Sequence, residues 1–142
     1  MKKMPPIEKV YEAWTAIADG RVIMNEDYAT VTSSDGTKEY TVRFSDDKYA
    51  SDDNATYWQG YPGYPVLAVL MLQGKLPFDR VVAEKWKGVE WKVINTKYKN
   101  NYAIAVREVA EQRGIDMTAA HQSAEAVMDA LKSLDIRIGR KV

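Results

Sequence analysis

The first hydrophobic pattern along the chain has the period of an α-helix. From Ile7 to Ala18, apolar side chains recur every three or four residues, which places them on one helix face. Pro5 and Pro6 suit a first helical turn, where backbone N–H groups have no partner within the helix. Asp19-Gly20 supplies an end signal. We therefore predict an amphipathic helix over residues 7–18.

Three short runs typical of β-strands follow, at residues 21–25, 28–33 and 37–45. In the second and third runs, side chains alternate with a period of two. Between the second and third runs, Ser34-Asp35-Gly36 offers a tight turn with a glycine for positive φ. We predict a three-stranded antiparallel meander, one face of which is buried by the first helix.

A stretch rich in Asp, Gly and Pro follows at residues 46–65 and has neither period. Its composition is typical of turns, so we predict a long loop. The stretch also contains five aromatic residues, Tyr49, Tyr57, Trp58, Tyr61 and Tyr64. A disordered linker has no use for so many rings, and we therefore expect this aromatic loop to pack on the domain.

The pattern from residue 66 onward is mainly helical. Val66–Leu72 is apolar throughout, as in a buried helix, and further helices are predicted over residues 78–86 and 101–113, with a short element at 91–95. Thr118 can cap a last helix that ends near Ser133. Residues 134–139 alternate again, as an edge strand or a trailing end.

These elements predict an α+β fold in a single domain over residues 1–142. In order, it contains an N-terminal helix, the three-stranded antiparallel meander, the aromatic loop and a C-terminal helical part of about four helices. Residues 20–72 hold the meander, the loop and the start of the next helix. Residues 66–135 form the helical part.

Composition and charge exclude several classes of chemistry. The 142 residues contain no Cys and one His, which excludes disulfides, thiol catalysis and Cys-ligated zinc. We predict no metal and no other cofactor. Twenty basic residues balance twenty acidic ones, whereas a nucleic-acid-binding domain is normally basic. The balance hides an asymmetry, because residues 1–66 carry a net charge of −4 and residues 67–142 carry +4.

The chain shows neither a secretion signal nor a membrane span. Its longest apolar run, Val66–Leu72, has seven residues, whereas a membrane-spanning helix needs about 20. The N-terminal Met-Lys-Lys-Met-Pro-Pro is not followed by the apolar run of a secretory signal. We therefore expect a soluble cytoplasmic protein that does not act at a membrane.

Residues 20–72 resemble a SWIM zinc finger that lacks all of its metal ligands. In that family, a β-hairpin leads to Cys-x-Cys, a spacer, and Cys-x-His that runs directly into an apolar helix. Here the hairpin is 28–44, and the two ligand pairs fall on Ala50-Ser51-Asp52 and Gly63-Tyr64-Pro65, with ten residues between Asp52 and Gly63. The resemblance implies a binding role toward DNA or protein. It also implies that rings of the aromatic loop, rather than zinc, hold the loop.

We prefer the hypothesis of a non-enzymatic interaction module. Rings next to Gly and Pro form rigid contact surfaces, so Trp58, Tyr61 and Tyr64 could contact a protein partner or a second copy of the chain. The alternative for these rings is a loop that is pinned to the core. Exposure of Trp58 distinguishes the two possibilities.

Two other hypotheses remain open. Lysines interleave with rings between residues 75 and 99 and could bind nucleic acid, namely Lys85, Lys87, Lys92, Lys97 and Lys99. In the alternative, Trp86 and Trp91 are core anchors with lysines around them.

The third hypothesis is a small metal-independent hydrolase or ligand-binding protein. Its site would lie between the acidic loop and the helical half, with Asp52 or Asp53 as the acid or base. No nucleophile–base pair is evident, so a non-enzymatic role is favoured.

Overall fold

Helices cover one face of a single mixed β-sheet in the computed structural model, which describes residues 3–141. The α+β class predicted from the sequence is confirmed. No helix within the described range is both long and apolar enough to cross a membrane. In chain order, the elements are α1 (Glu8–Ala18), β1 (Val22–Met24), β2 (Tyr28–Thr32), β3 (Glu39–Ser45), β4 (Lys48–Ser51), a π-helix (Ala55–Gln59), α2 (Tyr64–Leu72), α3 (Arg80–Glu84), α4 (Trp91–Lys97), α5 (Tyr102–Arg113), α6 (Met117–Ser133) and β5 (Arg137–Gly139).

The sheet has the order β1-β2-β3-β4-β5. The first four strands are antiparallel neighbours, so the predicted meander is present, and β5 adds in parallel to β4. One stretch differs from the predictions, because 46–65 is not wholly a loop and contains β4 and the π-helix. Of the two alternatives predicted for residues 134–139, the edge strand is present, and Arg137 N anchors it by donating to the Asp47 carbonyl at 2.9 Å.

The strand period separates an inner face from an outer face. Val31 lies opposite Tyr40, and Ala29 lies opposite Val42, all four on the inner face. Ala29, Val31 and Val42 are completely buried. Helix α2, rather than α1 as predicted, packs on this inner face. It is apolar on every side because the sheet covers one side and α1 covers another.

Helix α1 lies at the centre of the helical part, in contact with α2, α3, α5 and α6. All residues from Lys9 to Ile17 are therefore buried, including the polar residues Lys9, Glu12 and Thr15. Thr15 Oγ1 donates to the Trp86 carbonyl at 2.7 Å and accepts from Trp91 Nε1 at 2.8 Å. The predicted amphipathic helix is thus present, but its polar side faces the protein interior.

Short capping motifs separate the C-terminal helices. Asp116, rather than Thr118, caps α6, because its carboxylate accepts from the backbone N–H groups of Thr118 and Ala119. Five α-helices, rather than about four, follow β4. Gly88 adopts a positive φ of 77° between α3 and α4. This turn lets the buried rings of Trp86 and Trp91 stack, with centroids 6.0 Å apart.

Candidate functional site: a polar cleft

A polar cleft of about 260 Å³ opens between the start of α1, the β2–β3 hairpin and α4. Its walls bring together side chains that are far apart in the sequence: Lys9 and Glu12 of α1, Arg21, Tyr40 of β3, Asp53, Tyr64 of α2, Trp91, Lys92 and Asn95 of α4, and Tyr102 of α5. The cleft thus lies where the β-rich and helical parts of the chain meet.

An ion pair within α1 forms one wall of the cleft. Lys9 Nζ lies 3.1 Å from Glu12 Oε2, one helical turn away, and also lies over the ring of Tyr102 at 4.4 Å from its centroid. The other carboxylate oxygen, Oε1, is 3.5 Å from the amide nitrogen of Asn95. Oε2 is shielded from solvent, and the Lys9 ammonium is its charged partner. A carboxylate has about four lone-pair sites, so the pair leaves hydrogen-bonding capacity on Glu12.

Burial changes the acid–base behaviour of this pair. Loss of solvent raises the pKa of Glu12, and the Lys9 ammonium opposes that shift only in part. Buried ion pairs contribute little to stability, because removing two charges from water offsets their attraction. A perturbed carboxyl group with a specific charged partner in a cleft is a candidate functional group.

Arg21 and two tyrosines form the wall on the sheet side. Arg21 Nη1 donates to the Thr32 carbonyl at 2.5 Å, and its Nε donates to Asp19 Oδ2 at 3.1 Å. The rings of Tyr40 and Tyr64 meet edge to face, 6.4 Å apart. Burial raises the pKa of both tyrosines, although Arg21 opposes the shift at Tyr64. Both hydroxyls therefore stay protonated at neutral pH and can donate hydrogen bonds.

Contacts of Lys92 hold α4 against the β2–β3 hairpin and complete the cleft. Its backbone N–H donates to Ser34 Oγ at 3.1 Å, and its ammonium lies 3.3 Å from Asp35 Oδ2. Hydrogen bonds from Thr37 hold the pKa of Asp35 well below its usual value, so this partner stays ionised. On this side of the cleft, the positive charge of Lys92 on α4 is therefore balanced by the negative charge of Asp35 on the hairpin.

A hydrogen-bond network centred on Asp53, which also borders the cleft, closes the segment between β4 and α2. Its carboxylate accepts from the hydroxyl of Ser51, and from Thr56 N and Oγ1 at 3.0 and 3.1 Å. Thr56 Oγ1 in turn accepts from Gly63 N at 2.9 Å. Gly63 has no room for a Cβ atom, which would overlap with Asp53 Oδ2. Polar contacts therefore join the two ends of the segment.

The structure places the three predicted aromatic site residues in different surroundings. Trp58 is 65% exposed, and its ring contacts the ring of Tyr57 and the guanidinium of Arg140. Tyr61 is half-buried, and electrostatic interactions link it to Lys9 and Tyr102 of the polar cleft. Tyr64 lines the cleft itself. The aromatic loop thus contributes to the cleft and also presents one exposed ring.

The five lysines of the nucleic-acid hypothesis are exposed but have different partners. Lys92 lines the polar cleft, and Lys97 pairs with Glu108 at 3.4 Å. Lys85, Lys87 and Lys99 are also exposed. Trp86 and Trp91, the rings among these lysines, are core residues and are not available for stacking with bases.

The two acidic candidates, Asp52 and Asp53, differ in burial. Asp53 is buried, whereas Asp52 is exposed and accepts from Thr41 N at 2.8 Å. His121 lies on α6 and pairs with Glu125 at 2.8 Å. Within residues 3–141, no group of three or more His, Asp or Glu side chains could hold a metal ion.

Most residues of the polar cleft were not candidates in the sequence, among them Lys9, Glu12 and Asn95. A signal for Lys9 and Glu12 existed in α1, where the polar residues at positions 9, 12 and 15 recur every three residues. That spacing places the three residues on one helix side. The sequence did not reveal that other helices would enclose this side.

Comparison with known proteins gives a family and no closer relative. No curated protein and no solved structure gives a significant match to the chain. The family described as Uncharacterised conserved protein UCP014422 matches residues 2–137, and the chain therefore belongs to that family.

Proposed function

We propose that the protein binds a small polar molecule in the polar cleft, with Glu12 and Lys9 as its central contacts. The observation that carries the proposal is the ion pair of Lys9 and Glu12, whose side chains are only about a tenth exposed in the wall of a cleft. A buried charged pair with a perturbed carboxyl group in a cleft is a candidate functional site. A ligand would donate N–H or O–H groups to the remaining lone pairs of the Glu12 carboxylate.

Charge in the cleft limits the class of ligand. Lys9, Arg21 and Lys92 each lie next to a carboxylate, that of Glu12, Asp19 and Asp35 respectively. These pairs leave no large excess of either sign for a strongly charged ligand to neutralise. A neutral or zwitterionic molecule with several hydrogen-bonding groups fits the balance best.

Size and hydrogen-bonding groups agree with that class. Pockets for drug-sized ligands have volumes of about 300–1,000 Å³, so a cleft of about 260 Å³ suits a small molecule. The hydroxyls of Tyr40 and Tyr64 offer donors, and the side-chain amide of Asn95 offers both a donor and an acceptor. Sugars, amino acids and nucleosides combine small size with such groups.

Asp53 holds the loop in this proposal and does not act as the acid or base. Both of its carboxylate oxygens already accept hydrogen bonds from Ser51 and Thr56. The polar cleft lies between the acidic loop and the helical half, which is the location that the ligand-binding hypothesis assumed. Its chemical centre, however, is on α1.

The test is thermal unfolding with a panel of single sugars, amino acids and nucleosides. A ligand at about one hundred times its Kd stabilises the fold by ~2.7 kcal/mol, which raises Tm measurably. The double variant Lys9→Met/Glu12→Leu should lose that stabilisation, whereas His121→Ala, on α6, should keep it. The proposal fails if no compound raises Tm, or if the double variant responds as the unaltered protein does.

A second candidate function, contact with a protein partner or a second copy, is supported by the exposure of Trp58. An exposed tryptophan next to a guanidinium group is typical of interface hot spots. Sedimentation equilibrium tests self-association, with Trp58→Ala as the variant that should remain a monomer. The SWIM-like frame also remains a proposal, supported by the order of hairpin, Asp53 network and α2.

A further inference from the structure

A second groove, separate from the polar cleft, lies among α1, α5 and α6. It has a volume of about 690 Å³ and is called the helical groove here. Ile7, Tyr11, Val106 and Met117 form its apolar walls, and Ala103 lies at its edge. No residue of the helical groove lines the polar cleft, so any ligand it holds would be independent of the proposed function.

Tyr11 is the unusual residue of the helical groove. Only 1% of its surface is exposed, and its ring packs edge-on against Trp14 and Trp86 at 4.9 and 4.7 Å. Its hydroxyl is shielded from solvent and has no hydrogen-bond partner among residues 3–141. An unpaired buried hydroxyl is uncommon, because the lost hydration is not replaced. Phenylalanine would fill the same space without this cost.

The charges around Tyr11 indicate which partner the hydroxyl can take. Burial, together with Glu8 and Glu125, raises the pKa of Tyr11 to about 12, so the hydroxyl remains a donor at neutral pH. The same two carboxylates disfavour an anionic acceptor. The other charged groups lining the groove are Arg107, which is exposed, and His121, which pairs with Glu125. A neutral acceptor is therefore preferred.

We propose that the helical groove binds a neutral, mainly apolar molecule whose carbonyl oxygen accepts a hydrogen bond from Tyr11. Apolar walls would bury the body of such a molecule, and the carbonyl would satisfy the hydroxyl. Access requires a side-chain adjustment next to Tyr11. Met117 is the wall residue suited to this, because its unbranched thioether changes rotamer at low cost.

The experiment compares two probes of nearly equal shape, acetophenone and the hydrocarbon α-methylstyrene, which has C=CH₂ in place of the carbonyl. NMR titration of the full chain gives a Kd for each probe from the backbone amide shifts of α1, α5 and α6. In Tyr11→Phe, the ratio of the ketone Kd to the hydrocarbon Kd should rise on the order of fivefold, the value of one neutral hydrogen bond. Tyr64→Phe, which removes a hydroxyl from the polar cleft, should leave the ratio unchanged.

A second variant checks the location of the probes. Ala103→Trp, on the exposed edge of the helical groove, should weaken the binding of both probes, because the larger side chain would fill part of the groove. The proposal is overturned if neither probe shifts these amides, if Tyr11→Phe leaves the ratio of Kd values unchanged, or if Ala103→Trp leaves both Kd values unchanged. None of these outcomes depends on a ligand of the polar cleft.

Discussion

Lys9 and Glu12 form an ion pair with 3.1 Å between Nζ and Oε2, and each side chain is only about a tenth exposed. The pair lies on a helix that four other helices contact. Such burial is expensive for two charges, and apolar residues of similar volume could fill the space. The stability of the fold alone therefore does not explain why this pair is present.

The first prediction separates the charges of this pair. Glu12→Gln or Lys9→Met alone should lower the free energy of unfolding by about 3–5 kcal/mol, because each leaves one buried charge without its partner. Lys9→Met/Glu12→Leu should be as stable as the unaltered protein, or more stable by about 1–4 kcal/mol. Urea unfolding at neutral pH measures all three variants. Additive losses in the double variant would contradict this account.

The second prediction concerns pH and follows from the raised pKa of Glu12. A carboxyl group whose folded-state pKa exceeds its usual 4.5 binds its proton more tightly when folded. Its contribution to stability is therefore complete below that usual value and is lost as pH rises through the folded-state pKa. The stability advantage of Lys9→Met/Glu12→Leu over the unaltered protein should grow across this window. An advantage that shrinks as pH rises would reverse the sign and contradict the prediction.

The third prediction tests the close packing of Gly63 on Asp53. Gly63→Ala should destabilise the fold by about 1–3 kcal/mol, because the added methyl group would overlap with the Asp53 carboxylate. The backbone of Gly63 has a φ of −73°, so alanine brings no conformational strain of its own. In the double variant Gly63→Ala/Asp53→Ala, the two losses should not add, since the overlapping atoms are gone. Strict additivity in chemical denaturation would show that the two residues act independently.

The fourth prediction compares two buried hydroxyls on α1. Tyr11→Phe should leave stability unchanged or raise it, because the hydroxyl has no partner. Thr15→Val should cost about 1–3 kcal/mol, because the indole N–H of Trp91 and the carbonyl of Trp86 lose their partner. Both changes remove one hydroxyl, so denaturant midpoints compare them directly. Equal losses would indicate that Tyr11 does have a hydrogen-bond partner in solution.

The fifth prediction checks the exposure of Trp58 by fluorescence. Trp14, Trp86 and Trp91 are buried, so iodide should quench mainly the emission of Trp58. Trp58→Phe should therefore remove most of the iodide-accessible fraction without changing the unfolding midpoint. A variant that remains as accessible to iodide as the original would place an additional indole at the surface.

An unbroken apolar run predicted α2, and hydrophobic period predicted α1 and the strands β2 and β3. It failed for β4, which has only four residues between Asp-rich turns and is stabilised by its neighbours β3 and β5. So short a run has no detectable period. Its assignment depends on partners that the local sequence does not specify.

The polar cleft was only half predictable for a similar reason. Asp53 and Tyr64 were among the candidates, because unusual composition marked their loop. Lys9 and Glu12 read as the solvated side of an amphipathic helix, which is what their spacing indicates for an isolated helix. In the structure, helices that come later in the chain enclose α1 and bury both residues. Such enclosure is a tertiary property, which the local sequence does not specify.

The parallel pairing of β5 with β4 also affects the order in which the fold can form. Residues 48–50 acquire their second neighbour only from residues 137–139, which follow α2 to α6 in the sequence. During synthesis, one edge of β4 therefore stays unpaired while α2 to α6 are being made. An unpaired strand edge is a template for pairing with other chains. The first four strands are translated early, but the five-stranded sheet is complete only after β5 has been made. Until then, the nascent chain is open to misassembly.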